Sequence, residues 1–118
     1  MLENLEQLIK TIRERKNSSP DKSYTNKLLN DKNLSVAKVK EEIGELIESV
    51  EQNSNTIHEA ADVIYHLMVY LEANNVKIED VMSELKKRQK LTMIKTTYLQ
   101  RFLKEKSLVK RFMKTIMY

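Results

Sequence analysis

One glycine and one proline in 118 residues leave this chain few ways to reverse direction tightly. β-Hairpins rely on glycine, Asn-Gly or Asp-Gly at turn positions of positive φ, so a stack of short strands is a poor solution here. What remains is a set of helices joined by short polar connections. The pattern agrees: hydrophobic residues (41%) and charged residues (32%) are mixed along the chain, which favours amphipathic helices over disorder. No stretch approaches the ~18 apolar residues of a membrane-spanning helix, so no membrane partner is expected. Met1-Leu2-Glu3-Asn4 lacks the basic segment and apolar run of a signal peptide, and there is no cysteine. Both fit a cytoplasmic location.

Leu2, Leu5, Leu8, Ile9 and Ile12 recur at helical spacing and predict a first helix to about Arg15, broken by Asn17-Ser18-Ser19-Pro20. Residues 23–29 suit a short helix, and Asn30-Asp31-Lys32-Asn33 suits a loop. With Ser35 as N-cap, a second long helix is predicted from about Val36 to Gln52, with Val39, Ile43, Leu46, Ile47 and Val50 inward. The short link Asn53-Ser54-Asn55 predicts an antiparallel neighbour, from about Thr56 to Asn74. That helix is apolar nearly all round, as expected of a central helix or an oligomer interface. A further helix starts near Ile78 with Val81, Met82 and Leu85 inward. Beyond it, Leu91, Ile94, Tyr98, Phe102, Val109, Phe112, Met113 and Ile116 fall near one helical stripe.

The net charge of +4 conceals an asymmetry: residues 86–118 hold eleven Lys and Arg and one acid, whereas residues 1–85 hold ten bases and sixteen acids. The pI of about 9.2 therefore belongs to the tail. By itself it gives no ground for nucleic acid as a partner.

The chemistry concentrates in two acidic motifs, Glu41-Glu42-x-x-Glu45 and Glu59-x-x-Asp62. Residues three apart on a helix lie within roughly 60° of each other, so Glu42 projects with Glu45, and Glu59 with Asp62. Antiparallel packing brings the four carboxylates together. Like charges so close repel and are expensive to desolvate unless a cation sits among them. That cation is either a hard divalent ion such as Mg²⁺ or the side chain of a partner lysine or arginine. Glu48 and Glu51 read as ordinary solvated surface.

Gly44, inside the second long helix, costs it about 1 kcal/mol relative to alanine. It is either a point of close approach by a helix or ligand, or a tolerated blemish. Lys38 forms an i, i+4 pair with Glu42 or contacts phosphate. His66 is a satisfied core residue or a substrate contact, while His58 reads as solvated. Lys22-Ser23-Tyr24-Thr25 is a turn and helix cap that also offers donors to a ligand. No glycine-rich phosphate loop and no Ser/His/Asp order is present, so phosphate handling must go through metal and side chains.

Three segments together resemble a known family: Ser23-Tyr24-Thr25-x-x-Leu28-Leu29, Lys38-Val39-x-Glu41-Glu42-x-Gly44-Glu45, and Glu59-Ala60-Ala61-Asp62-Val63-Ile64-Tyr65-His66. With Asp80-Val81-x-x-Glu84-Leu85-x-x-Arg88, they resemble phosphoribosyl-ATP pyrophosphohydrolase of histidine biosynthesis, in the all-α NTP pyrophosphatase (MazG-like) superfamily. The resemblance covers residues 1–89 as a catalytic helical domain and leaves 90–118 as a basic amphipathic C-terminal extension. It implies an antiparallel all-α bundle, to which the apolar stripe of the extension adds a basic C-terminal helix. It also implies Mg²⁺-dependent hydrolysis of the α–β phosphoanhydride of phosphoribosyl-ATP, giving phosphoribosyl-AMP and pyrophosphate, and a homodimer. Residue by residue, it makes Glu42, Glu45, Glu59 and Asp62 the metal ligands and Glu41 an auxiliary acid. Lys38 becomes a phosphate contact, and Tyr24, His66 and Arg88 become substrate contacts. Two features depart from the family: Ile43, where a small residue is usual, and the long basic tail. The rivals are a related pyrophosphatase for other (deoxy)nucleoside triphosphates and a non-enzymatic helical binding module working through the tail.

Overall fold

The computed structural model describes residues 1–102, with the backbone alone for Thr92 and residues 94–102. Helices α1 (Glu3–Glu14), α2 (Tyr24–Asn30), α3 (Lys32–Gln52), α4 (Thr56–Ala73) and α5 (Ile78–Phe102) form the all-α architecture predicted from the sequence. They belong to two compact units, Met1–Ile78 and Glu79–Tyr118. Among the described residues no helix is long and apolar enough to cross a membrane.

The first unit is built on α4, which packs against α1, α2 and, most extensively, α3. Its core holds Ile12, Leu28, Met68 and Val69, lined by Leu5, Leu8, Ile9, Leu29, Leu34, Tyr65, Leu71 and Ile78. Full burial of one such aliphatic side chain contributes about 1.5–3 kcal/mol. α1 ends in a single 3₁₀ turn, Arg15–Asn17, whose carbonyls need partners. The buried amide of Asn26 supplies them, donating to Arg15 O at 2.8 Å and Ser18 O at 2.9 Å. Asn30 Nδ2 in turn donates to Asn26 Oδ1 at 3.0 Å. The Ser23 hydroxyl caps α2 by accepting from Asn26 N–H at 3.1 Å.

α3 departs from expectation in two ways. It starts at Lys32, where a loop was predicted, because the N-cap is Asp31 rather than Ser35: the Asp31 carboxylate accepts from Leu34 N–H at 3.0 Å. An acid at that position also favours the helix dipole. The predicted apolar face is also largely outward, with Ile43, Ile47 and Val50 43%, 55% and 60% exposed. The buried residues of α3 are Ser35, Glu42 and Ser49, seven apart. Small serines at either end take up little room between helices, and Glu42 is carried inside between them.

Asparagine replaces glycine at the turns. Asn53, Asn55 and Asn75 adopt φ of 52°, 57° and 58°, the left-handed conformation that asparagine tolerates better than other side-chain-bearing residues. After α3 and α4 the chain closes with the same bond over six residues, Ser54 N–H to Ser49 O at 3.0 Å and Val76 N–H to Leu71 O at 2.9 Å.

The second unit contains α5, which runs without a break past residue 90 to Phe102. Met82, Leu85 and Leu91 are 40–48% exposed, against an inward expectation for the first two. The apolar stripe of the tail beyond Leu91, and its basic residues beyond Lys90, lie outside the described side chains.

Candidate acidic site

The α3–α4 hairpin juxtaposes the two acidic motifs. Carboxylate oxygens of Glu42, Glu45 and Glu59 lie within 4.8 Å of one another, and so do ligand atoms of His58, Glu59 and Asp62, with Glu59 common to both groups. Glu42 is buried, Glu59 and Asp62 are half-buried, and Glu45 is exposed. One oxygen of Glu42 and one of Glu59 are buried with no partner. Burial foremost, then the charges of Glu45 and Asp62, pushes the Glu42 carboxyl above its usual range, while His66 opposes the shift. Glu59 is raised in the same way by burial and by Glu45, and His58 opposes.

His58 is solvated, as expected, but it also meets an acid of the site. Its ring is 74% exposed, yet Nε2 stands 3.3 Å from Asp62 Oδ2. The i, i+4 spacing of His58 and Asp62 was the available signal. Lys38 also differs from expectation. Its ammonium pairs with Glu41 at 2.9 Å rather than with Glu42, because Glu42 points inward. Glu41 is thus an exposed ion-pair partner beside the buried group. A β-carbon at Gly44 would meet nothing within 4 Å, so among the described residues none makes the close approach considered for it.

An aromatic group borders Glu42. His66 is buried, and its Nδ1 contacts the Asp62 carbonyl at 2.9 Å, so Nδ1 carries the proton. Its Nε2 is buried without a partner. Tyr65 and Tyr24 meet this ring edge-on, at centroid distances of 4.9 Å and 6.2 Å. Tyr24 is 47% exposed. Burial raises its phenol against the opposing charge of Lys38, with Tyr65, Glu41 and Glu42 adding to the rise. Arg88 belongs to the second unit, where Nε pairs with Glu84 at 3.1 Å.

Carboxylates converging from two facing helices form the kind of site that holds a hard divalent cation in helical bundles. Family comparison makes the identity specific: the chain belongs to the phosphoribosyl-ATP pyrophosphohydrolase family, whose model matches residues 5–89. It is 37% identical over 93 residues to a phosphoribosyl-ATP pyrophosphatase of Dechloromonas aromatica, covering 76% of this chain and 86% of that protein. It is 41% identical over 99 residues to a histidine biosynthesis trifunctional protein of Kluyveromyces lactis, covering 83% of this chain. It is 46% identical over 69 residues to the chloroplastic histidine biosynthesis bifunctional protein of Arabidopsis thaliana, covering 56% of this chain. The match spans 12% and 25% of those two larger relatives. No solved structure matches the chain.

Proposed function

We propose that this protein hydrolyses phosphoribosyl-ATP to phosphoribosyl-AMP and pyrophosphate, in histidine biosynthesis, at the acids of α3 and α4, with Mg²⁺ as cofactor. The observation that carries the proposal is the convergence of Glu42, Glu45 and Glu59 about one buried carboxylate, that of Glu42, in a chain of this family. The donor set fits the metal: all-oxygen, anionic, and with two buried oxygens lacking any protein partner. Glu42, Glu45, Glu59 and Asp62 would hold the ion, which when bound neutralises phosphate oxygens and activates water.

The chain's own groups divide the remaining work. One of the site's carboxylates accepts a proton of the attacking water. Water adds to phosphorus, the anhydride bond breaks, and pyrophosphate takes the electron pair. Lys38, side chain 32% exposed on its pair with Glu41, can exchange that partner for a substrate phosphate. Glu41 is the auxiliary acid that holds Lys38 until then. The Tyr24 hydroxyl offers a donor, His66 Nε2 an acceptor, and the two rings an aromatic edge to the nucleotide. Arg88 is a substrate contact by resemblance alone.

Assembly and location belong to the same proposal. Ile43, Ile47 and Val50 on α3 and Ile57 and Ile64 on α4 are 43–88% exposed, an apolar surface suited to a second copy. Ile47→Asp should yield a monomer by light scattering, and an unchanged mass would remove this surface from the interface. A cytoplasmic setting accords with the cysteine-free sequence.

The deciding experiment measures pyrophosphate release from phosphoribosyl-ATP with Mg²⁺ and with EDTA. Release that needs the metal and disappears in Asp62→Asn is the expected result. Far better turnover of dCTP or dUTP would move the protein to the related triphosphate pyrophosphatases.

A further inference from the structure

The hydroxyls of Thr25 and Tyr65 meet at 2.5 Å, joining the start of α2 to the middle of α4 across 40 residues of sequence. Each has a chain neighbour bordering the acidic site: Tyr24 precedes Thr25, and His66 follows Tyr65. The Tyr65 ring also meets His66 edge-on at 4.9 Å, and Tyr24 meets the same ring edge-on at 6.2 Å. With Nδ1 occupied by the Asp62 carbonyl, the ring presents Nε2, a buried atom with no hydrogen-bond partner among the described residues. α2 has only seven residues, too few to hold an orientation by its own backbone bonds. Its placement comes from side chains: Leu28 in the core, Asn26 at the base and Thr25 toward α4.

We propose that Thr25 and Tyr65 are positioning residues, whose hydroxyl-to-hydroxyl bond locks α2 against α4 and so aims Tyr24 and His66 Nε2 at the nucleotide substrate. This rests on the reaction proposed above. Neither hydroxyl needs to touch the substrate, since each is already engaged by the other. Their effect is preorganisation, and loss of such a bond loosens substrate binding more than it slows the chemical step.

The test is a set of variants that removes the bond with little change in volume. Thr25→Val and Tyr65→Phe should each raise KM for phosphoribosyl-ATP about tenfold while kcat changes less than about threefold. The double variant should be no worse than either single one, because the same bond is already lost. Thr25→Ser, which keeps the hydroxyl, should retain the parental KM. In the ligand-free protein, Tyr65→Phe should shift the His66 ring signals in the NMR spectrum, without the global changes of unfolding. Unchanged KM and unchanged His66 signals, additive effects of the two substitutions, or a Thr25→Ser protein as impaired as Thr25→Val would each overturn the proposal. If the parental protein releases no pyrophosphate, the assigned reaction fails, and the His66 spectrum alone decides whether the bond positions that ring.

Discussion

Two glutamates, Glu42 and Glu72, are buried to the same degree, 8% and 9% exposed, and their surroundings make them opposites. Glu72, near the end of α4, receives Arg13 at 2.8 Å and Lys16 at 2.9 Å from the α1 region. Burial pushes its carboxyl up, but the hydrogen bonds and charges of Lys16 and Arg13 together hold it below the usual range. Glu42 has two acids where Glu72 has two bases, and it is pushed the other way. Both acids must be satisfied to be buried at all. One is satisfied by the fold, which makes it structural. The other meets no lysine or arginine among the described residues, which leaves room for a cation from outside.

The largest effect expected from this contrast is on turnover. Glu42→Gln should lower kcat roughly 1000-fold, within the span for removal of a catalytic proton acceptor or charge stabiliser. The ligand-free protein should melt no lower than the parent, since a carboxylate in like-charged company has been removed. Mg²⁺ should raise the melting temperature of the parent but not of this variant. A large loss of ligand-free stability would make Glu42 a structural residue like Glu72.

Glu72→Gln should do the reverse. We expect a loss of about 2 kcal/mol, short of the roughly 3–5 kcal/mol of a fully buried pair because Arg13 and Lys16 are partly solvated. Chemical denaturation measures the loss, and kcat under stabilising conditions should stay near the parental value.

The pH dependence of stability separates the pair further. The lowered Glu72 contributes fully above the ordinary carboxylate range, and its contribution is lost as pH falls through its depressed folded value. The raised Glu42 and Glu59 contribute fully below that range, and their contribution is lost as pH rises through their elevated folded values. Denaturation across acidic pH should therefore show the acid-side loss reduced in Glu72→Gln. Glu42→Gln should show a smaller loss on the rising side.

The smallest effect is expected at Gly44, between Glu42 and Glu45. Its β-carbon would enter open space, so Gly44→Ala should stabilise α3 by about 1 kcal/mol. If turnover or the mass in solution falls as well, glycine is there for an approach by substrate or a second copy.

Much of this was legible in the residues. Leu5, Leu8, Ile9 and Ile12 predicted α1 and its inward face. The two acidic motifs predicted one cluster of Glu42, Glu45, Glu59 and Asp62, of which the first three converge while Asp62 groups with Glu59 and His58. α3 was misjudged because periodicity shows that a helix has an apolar stripe, but not which way the stripe points. Ile43, Ile47 and Val50 are the better hydrophobic face, yet the serine–glutamate face is the one turned inward. Asn26 was overlooked since its role depends on the free carbonyls of a helix end eight to eleven residues away.

By itself the sequence determined that the chain is helical, where its acids can share a face, and which family it resembles. These are local properties, set by 3.6-residue periodicity and short-range motif. Tertiary structure decided which glutamate meets a cation and which does not. It also turned Lys38 to Glu41 and made Tyr65 and Thr25 neighbours. Those outcomes depend on how helices far apart in the chain are rotated against one another, and a rotation of about 100°, one residue's turn, exchanges a buried position for an exposed one.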